Sequence, residues 1–129
     1  MLIEIKIKTS KRTELINITS KVEKIVSDSK VKEGLCVVYC PHTTAGIIVN
    51  ENSDPTVVSD LLGALEGMVP KIDFQHSEGN SPAHLKSTLV GCEKHFIIQN
   101  GKLLLGVWQG LFFGEFDGPR ERTIFVKVF

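Results

Sequence analysis

The sequence lacks both a charge imbalance and a long apolar run. Fifteen basic and fifteen acidic residues give a formal net charge of zero, so no overall basic excess favours binding to the phosphate backbone of a nucleic acid. No apolar run approaches the roughly 20 residues that a membrane-spanning helix needs. The first residues alternate between apolar and charged instead of forming a secretory leader. We therefore expect no nucleic-acid partner, no membrane partner and a cytoplasmic location.

Cysteines are few, and their number, three, is odd. Cys36 and Cys40 lie in one apolar, β-branched run that predicts a strand. Their spacing puts the two side chains on one face about 13 Å apart, which is too far for a disulfide. We expect these two thiols and that of Cys92 to be reduced, as is usual in a cytoplasmic protein.

Length and composition predict a single globular domain that covers residues 1–129. A chain of 129 residues with 42% hydrophobic and 23% charged residues has an ordinary globular composition. At this size a domain can bury about two-thirds of its unfolded surface without disulfides or metals.

Two stretches carry helix signals. Ser20 is followed three residues later by Glu23, which is a capping-box pattern. Asp54 precedes Pro55, which combines a side-chain cap with proline at the first helical position. We predict one helix after each signal.

Most of the remaining chain predicts short strands. Residues 3–7 alternate between apolar and charged, and residues 15–18 are apolar, so we predict a hairpin between these two runs. Asn100 and Gly101 separate two apolar runs and predict a second hairpin with a type I′ turn. With about two helices and seven to nine strands, the predicted fold class is α+β, an antiparallel, sandwich-like sheet with two packed helices.

Three of the four histidines lie in the two most polar stretches, residues 40–55 and 73–86. They are His42, His76 and His84. If the stretches meet in space, these side chains supply the three protein ligands that are typical of a catalytic zinc site. The alternative is that they are separate surface or capping histidines. His95 lies in an apolar strand pattern, and we expect it to face solvent.

Charged residues near these stretches are candidates for acid–base chemistry and phosphate binding. The candidate acids, which can act as a general base or orient an imidazole, are Glu51, Asp73, Glu78 and Glu115. The candidate cations, of which the arginines suit bidentate binding of oxyanions, are Lys86, Arg120 and Arg122. The alternative for each is an ordinary surface charge. Trp108 lies beside glycine in a strand pattern, and we expect it in the core or at a subunit interface.

Several blocks of this sequence occur together in one known family. The blocks run along most of the chain; they are residues 42–45, 50–52, 54–57, 78–79, 84–87, 106–110 and 114–115, which read HTTA, NEN, DPTV, EG, HLKS, GVWQG and GE. In this order they resemble the YjbQ family, whose members are often described as secondary thiamine-phosphate synthases.

The resemblance implies a function, a metal and an assembly. It implies a homotrimer of compact α+β subunits in which His42, His76 and His84 bind a divalent metal, zinc or magnesium, or an anion. It also implies a metal-dependent transferase that acts on small phosphorylated substrates, namely a thiamine-phosphate synthase that joins a pyrimidine pyrophosphate to a thiazole phosphate. The residues expected to act on the substrate are Glu51 and Glu78 as acids or bases, and Lys86 and Arg120 as phosphate ligands. The alternative is a trimeric metal- or anion-binding module without catalysis.

Overall fold

Eight strands and three helices make up the computed structural model, which describes all 129 residues. The strands are β1 (Leu2–Lys8), β2 (Glu14–Asn17), β3 (Gly34–Tyr39), β4 (Ala45–Glu51), β5 (Glu93–Gln99), β6 (Lys102–Leu103), β7 (Gln109–Glu115) and β8 (Glu121–Val128). The helices are α1 (Thr19–Ser29), α2 (Pro55–Gly67) and α3 (Ser81–Val90).

The strands form two antiparallel sheets. One sheet has five strands in the order β1-β8-β3-β5-β6, and the other has three in the order β2-β7-β4. A cluster of 16 buried apolar residues draws on both sheets and on α1. Its members include Val22 of α1, Val38 of β3 and Phe113 of β7, all of them fully buried. The predicted α+β class with antiparallel sheets in one domain is therefore confirmed.

The two strongest local signals behave as predicted. The Asp54 carboxylate accepts a hydrogen bond from the backbone N–H of Thr56 at 2.9 Å, and Pro55 opens α2. Asn100 and Gly101 have φ values of 54° and 77°, and both signs suit the type I′ turn between β5 and β6. In each case the residues that carry the signal also make the local structure, so no distant contact is needed.

Two local predictions are wrong, and one helix was not predicted. β1 and β2 do not form a hairpin, because β1 pairs with β8 and β2 pairs with β7 in the other sheet. Ser20 does not cap α1, which begins at Thr19. The backbone N–H of Thr19 donates to Asn17 Oδ1 at 3.0 Å instead. A third helix, α3, lies at the end of the polar stretch of residues 73–86 and just beyond it, in addition to the two predicted helices. The hairpin between β1 and β2 fails because each strand pairs with a strand from the far end of the chain. Local periodicity does not indicate which strands pair.

The exposure of individual side chains tests several predictions about where single residues lie. Trp108 is 61% exposed, so it is not a core residue of the single chain. His95 is exposed on β5, as predicted. All three cysteines are free; Cys36 and Cys40 are buried, and Cys92 is exposed. None of the three helices is both long and apolar enough to cross a membrane.

Candidate functional site

The two polar stretches meet at a cleft of about 710 Å³ that has no hydrophobic residue in its lining. Residues from the β3–β4 connection, from the loop before α3 and its first turn, and from the β7–β8 connection line it together with Arg12. We call it the arginine cleft, because all three arginines of the chain, Arg12, Arg120 and Arg122, line it. His42, His76 and His84 line it as well.

His42 is positioned just after β3 by a contact with β8. Its Nε2 lies 3.0 Å from both the backbone nitrogen and the carbonyl oxygen of Thr123, so backbone occupies this ring nitrogen in either tautomer and Nδ1 is left for a ligand. Burial and, next, the charge of Arg122 hold the pKa of His42 below its ordinary value. His42 is therefore neutral at pH 7 and able to accept a proton.

His76 and His84 form an aromatic pair on the opposite wall. Their rings are edge to face with centroids 5.5 Å apart, and His76 Nε2 lies 3.8 Å from Glu78 Oε2. No group of three or more His, Cys, Asp or Glu side chains in the chain is arranged so that it could hold a metal ion. The three histidines thus line one cleft, but as arranged they do not form a three-ligand metal centre.

Two arginines at the rim share one carboxylate. Arg120 donates from Nη2 to Asp117 Oδ2 at 3.0 Å and from Nε to the Asp117 carbonyl at 2.9 Å. Asn80 donates from Nδ2 to the same Oδ2 at 3.0 Å, while Arg12 Nη1 is 4.0 Å from Oδ1. Two exposed guanidinium groups therefore face one acid, which leaves several N–H donors for a ligand.

The third arginine belongs to a buried network beneath the cleft. Arg122 donates from Nε to Glu115 Oε2 at 2.8 Å and from Nη2 to Oε1 at 2.5 Å. Thr44 Oγ1 accepts a further bond from Nη2 at 2.8 Å, and Thr9 Oγ1 donates to Glu115 at 2.9 Å. Burial acts to raise the pKa of Glu115, but the hydrogen bonds from Arg122, the Asp117 N–H and Thr9 outweigh it and hold that pKa below its ordinary value. Glu115 and Arg122, two of the candidates, are thus bound to each other.

The structure separates the other candidates. Glu78 and Arg120 line the arginine cleft, as do the three histidines. Glu51 does not: it is paired with Gln109 along the β4–β7 ladder. Lys86 also lies elsewhere, ion-paired with Glu66 of α2 in the wall of a neighbouring cleft.

Several cleft residues were not among the candidates, among them Arg12, Asn80 and Asp117. Arg12 lies between the two runs that were predicted to form a hairpin, and it reaches the site because β2 joins the sheet that contains β7. Asp117 lies three residues before Arg120 in the same turn. This short spacing between an acidic and a basic residue is the feature of the sequence that could have indicated their ion pair.

The cleft suits an anion on chemical grounds. Arginine guanidinium groups bind phosphate or carboxylate oxygens in a bidentate manner, and the backbone-anchored His42 adds a neutral proton acceptor. Fold and cleft together define a class of small α+β proteins with two antiparallel sheets and a polar, arginine-lined cleft.

Comparison with known proteins identifies the family. The model of the family described as UPF0047 protein YjbQ-like matches residues 3–129. The UPF0047 protein MJ1081 of Methanocaldococcus jannaschii is 55% identical over 129 residues, which cover 99% of this chain and 94% of that protein. The UPF0047 protein YugU of Bacillus subtilis is 48% identical over 131 residues, covering 99% of this chain and 98% of YugU. The chain belongs to the YjbQ (UPF0047) family, and the resemblance seen in the sequence is confirmed.

Solved structures agree with this assignment. A crystal structure of a YjbQ/UPF0047 family protein from Clostridium acetobutylicum has a TM-score of 0.95 and 53% identity, covering 98% of this chain and 99% of its own. A YbjQ-like protein from Sulfolobus solfataricus has a TM-score of 0.93 and 37% identity, covering 99% of this chain and 95% of its own.

These relatives correct the functional prediction. The Clostridium protein is described as uncharacterised and the Sulfolobus protein as of unknown function, and the curated relatives are described only as UPF0047 proteins. The prediction of a metal-dependent enzyme with thiamine-phosphate synthase activity is therefore wrong as an assignment for this chain, because the descriptions of these relatives name no such activity.

Proposed function

We propose that the chain binds a small phosphorylated molecule in the arginine cleft. The observation that carries this proposal is the composition of the lining, in which arginines and histidines are present and hydrophobic residues are absent. A phosphate group presents several oxygens to which guanidinium groups donate two N–H bonds at once.

The balance of charges in the cleft favours an anion over a cation. Of its carboxylates, Glu115 beneath it is bonded to Arg122, and Asp117 is bonded to Arg120 and Asn80. Only Glu78 has a freely exposed carboxylate at the site. Arg12 and Arg120 are exposed and share Asp117, so a dianion gains two cationic partners without displacing a buried pair.

The pH dependence of binding separates an anion from a divalent metal. Protonated imidazoles add positive charge to the cleft, so anion affinity should rise as the pH falls through the range in which histidines titrate. Metal affinity should fall over the same range, because metal and proton compete for the same nitrogens. The zinc or magnesium site of His42, His76 and His84 stays a prediction, and the same experiment tests it.

The experiment is calorimetric titration with sulfate and, separately, with zinc at pH 8, 7 and 6. Sulfate is used because its own charge stays constant over this range. We expect the parent protein to bind sulfate more tightly at pH 6 than at pH 8, and we expect His76→Asn to reduce that increase. The matched control, His95→Asn on the exposed face of β5, should retain it. Absence of sulfate binding at every pH would overturn the proposal.

A homotrimeric assembly is also part of the proposal. α2 has no buried residue in the single chain, although Val57, Leu61 and Leu65 lie along it and are half-buried. Met68 and Trp108 are large exposed apolar residues, and exposed apolar surface of this kind marks interfaces between proteins. Light scattering at micromolar concentration should give three times the mass of the chain, and a monomer would contradict this assembly.

A cytoplasmic location is a further part of the proposal. It rests on the free thiols, which a reducing compartment maintains.

A further inference from the structure

A second cleft of about 510 Å³ lies beside the arginine cleft. We call it the lysine cleft, because Lys86 forms part of its wall together with Leu62, Gly63 and Glu66 of α2. Arg12 lines both clefts. A molecule bound to Arg12 in the arginine cleft therefore lies next to the lysine cleft.

The same chain segments form the walls of both clefts. At the start of α3, Asn80 lines the arginine cleft and Ala83 lines the lysine cleft. After β7, Asp117 lines the first and Phe116 the second. The two spaces are thus neighbouring compartments with common walls.

The two compartments differ in chemical character. The arginine cleft has no hydrophobic lining residue, whereas three of the nine residues that line the lysine cleft are hydrophobic. They are Leu62, Ala83 and Phe116. We propose, on the basis of the function proposed above, that the ligand is an organic phosphate ester whose phosphate binds in the arginine cleft and whose carbon skeleton occupies the lysine cleft.

Lys86 supplies a polar anchor for that carbon skeleton. Its side chain is 5% exposed, while that of its partner Glu66 is 68% exposed. The ammonium group is therefore held in the cleft wall, and the carboxylate is free to turn into solvent. An anionic oxygen of the ligand, such as that of a carboxylate, can replace the Glu66 carboxylate at Lys86 without leaving an unpaired charge buried in the protein.

Gly63 offers a way to fill the lysine cleft without straining the protein. A Cβ atom at this position would have no heavy atom within 4 Å, so a leucine side chain can enter the space beside it. Gly67 lies on the same helix, also has no heavy atom within 4 Å of an added Cβ, and does not line the lysine cleft. Both replacements favour the helix by removing glycine, which makes Gly67→Leu a matched control for Gly63→Leu.

The test compares inorganic phosphate with phenyl phosphate by calorimetry in the parent and in both variants. Because its ring buries apolar surface in the lysine cleft, phenyl phosphate should bind the parent about tenfold more tightly than inorganic phosphate. Gly63→Leu should abolish that advantage and leave the affinity for inorganic phosphate unchanged, whereas Gly67→Leu should preserve both affinities.

The outcomes separate this inference from the function on which it rests. If inorganic phosphate binds but phenyl phosphate binds no more tightly, or if Gly63→Leu leaves the advantage intact, the lysine cleft does not hold the ligand and the proposed function stands. If neither compound binds the parent, both proposals are overturned. Thermal unfolding of the two glycine variants, with midpoints at or above that of the parent, verifies that loss of binding does not come from loss of fold.

Discussion

Two arginine–carboxylate pairs lie at the arginine cleft and differ chiefly in burial. Arg122 and Glu115 have side chains that are 4% and 0% exposed. Arg120 is 51% exposed and bonds to Asp117 across a turn. Both are guanidinium–carboxylate pairs, and the Asp117 side chain is itself only 12% exposed, so the contrast lies mainly in the burial of the arginine.

Burial assigns the two pairs to different tasks. In the buried pair both Glu115 carboxylate oxygens and the Nε and Nη2 donors of Arg122 are engaged within the protein, by each other, by Thr9 and Thr44 and by backbone. An exposed pair is worth little to stability because water competes for both partners, and its unused N–H groups remain open to a ligand. The buried pair thus serves the fold and the exposed pair serves binding.

Removal of one buried partner should have the largest effect. Arg122→Met leaves the Glu115 carboxylate buried without its cation, which should cost about 3–5 kcal/mol of unfolding free energy. Urea denaturation at pH 7 measures this. Arg120→Met is the matched control and should cost less than about 1 kcal/mol. Equal losses in the two variants would remove the distinction between the pairs.

The exposed pair should dominate ligand affinity. Arg120→Gln should weaken sulfate binding about tenfold, since a charge-assisted bidentate contact is lost. Lys127→Gln, at an exposed position of β8, removes the same charge away from the cleft and should change affinity little. Calorimetry at low ionic strength makes the comparison, and a similar weakening in both variants would point to general charge attraction instead of a site.

Half-burial of His42 should appear as a pH dependence of stability. Its pKa is lowered from 6.5 in the folded protein, so below that pH the unfolded chain binds more protons. The stability present above pH 6.5 should then decline as the pH falls. Denaturant midpoints from pH 8 to pH 5 should show a smaller decline for His42→Asn, and the exposed-site control His95→Asn should follow the parent. An unchanged profile for His42→Asn would contradict the shift.

The smallest effect concerns the thiols, which repeat the contrast between buried and exposed groups. Burial raises the pKa of both Cys36 and Cys40 to about 11, and Cys92 is exposed. Iodoacetamide at pH 8 should add one group to the native protein and three to the denatured protein, as measured by intact mass. A product two daltons lighter, with fewer adducts after denaturation, would reveal a disulfide and refute the predicted reduced state.

Two local features followed from short-range physics and were predictable, whereas the capping-box pattern at Ser20 was not realised. The cap at Asp54 and the turn at Asn100–Gly101 need only neighbouring residues, and both are present. The family resemblance rested on ordered blocks along the whole chain, and it also holds. The exposed position of His95 followed from strand alternation.

Tertiary structure alone decided which charged residues share a cleft. Sequence identifies Glu115, Arg122, Arg120 and Lys86 as ionisable, but it does not report which of them are buried against one another. That depends on β2, β4 and β7 forming one sheet while β8 joins the other, a pairing between distant segments that local periodicity does not encode. The sequence by itself determined the family, the fold class and the local signals at Asp54 and Asn100–Gly101. Packing between the sheets determined that Arg122 is buried against Glu115, that Arg120 is left open to a ligand, and that Lys86 lies in a separate cleft.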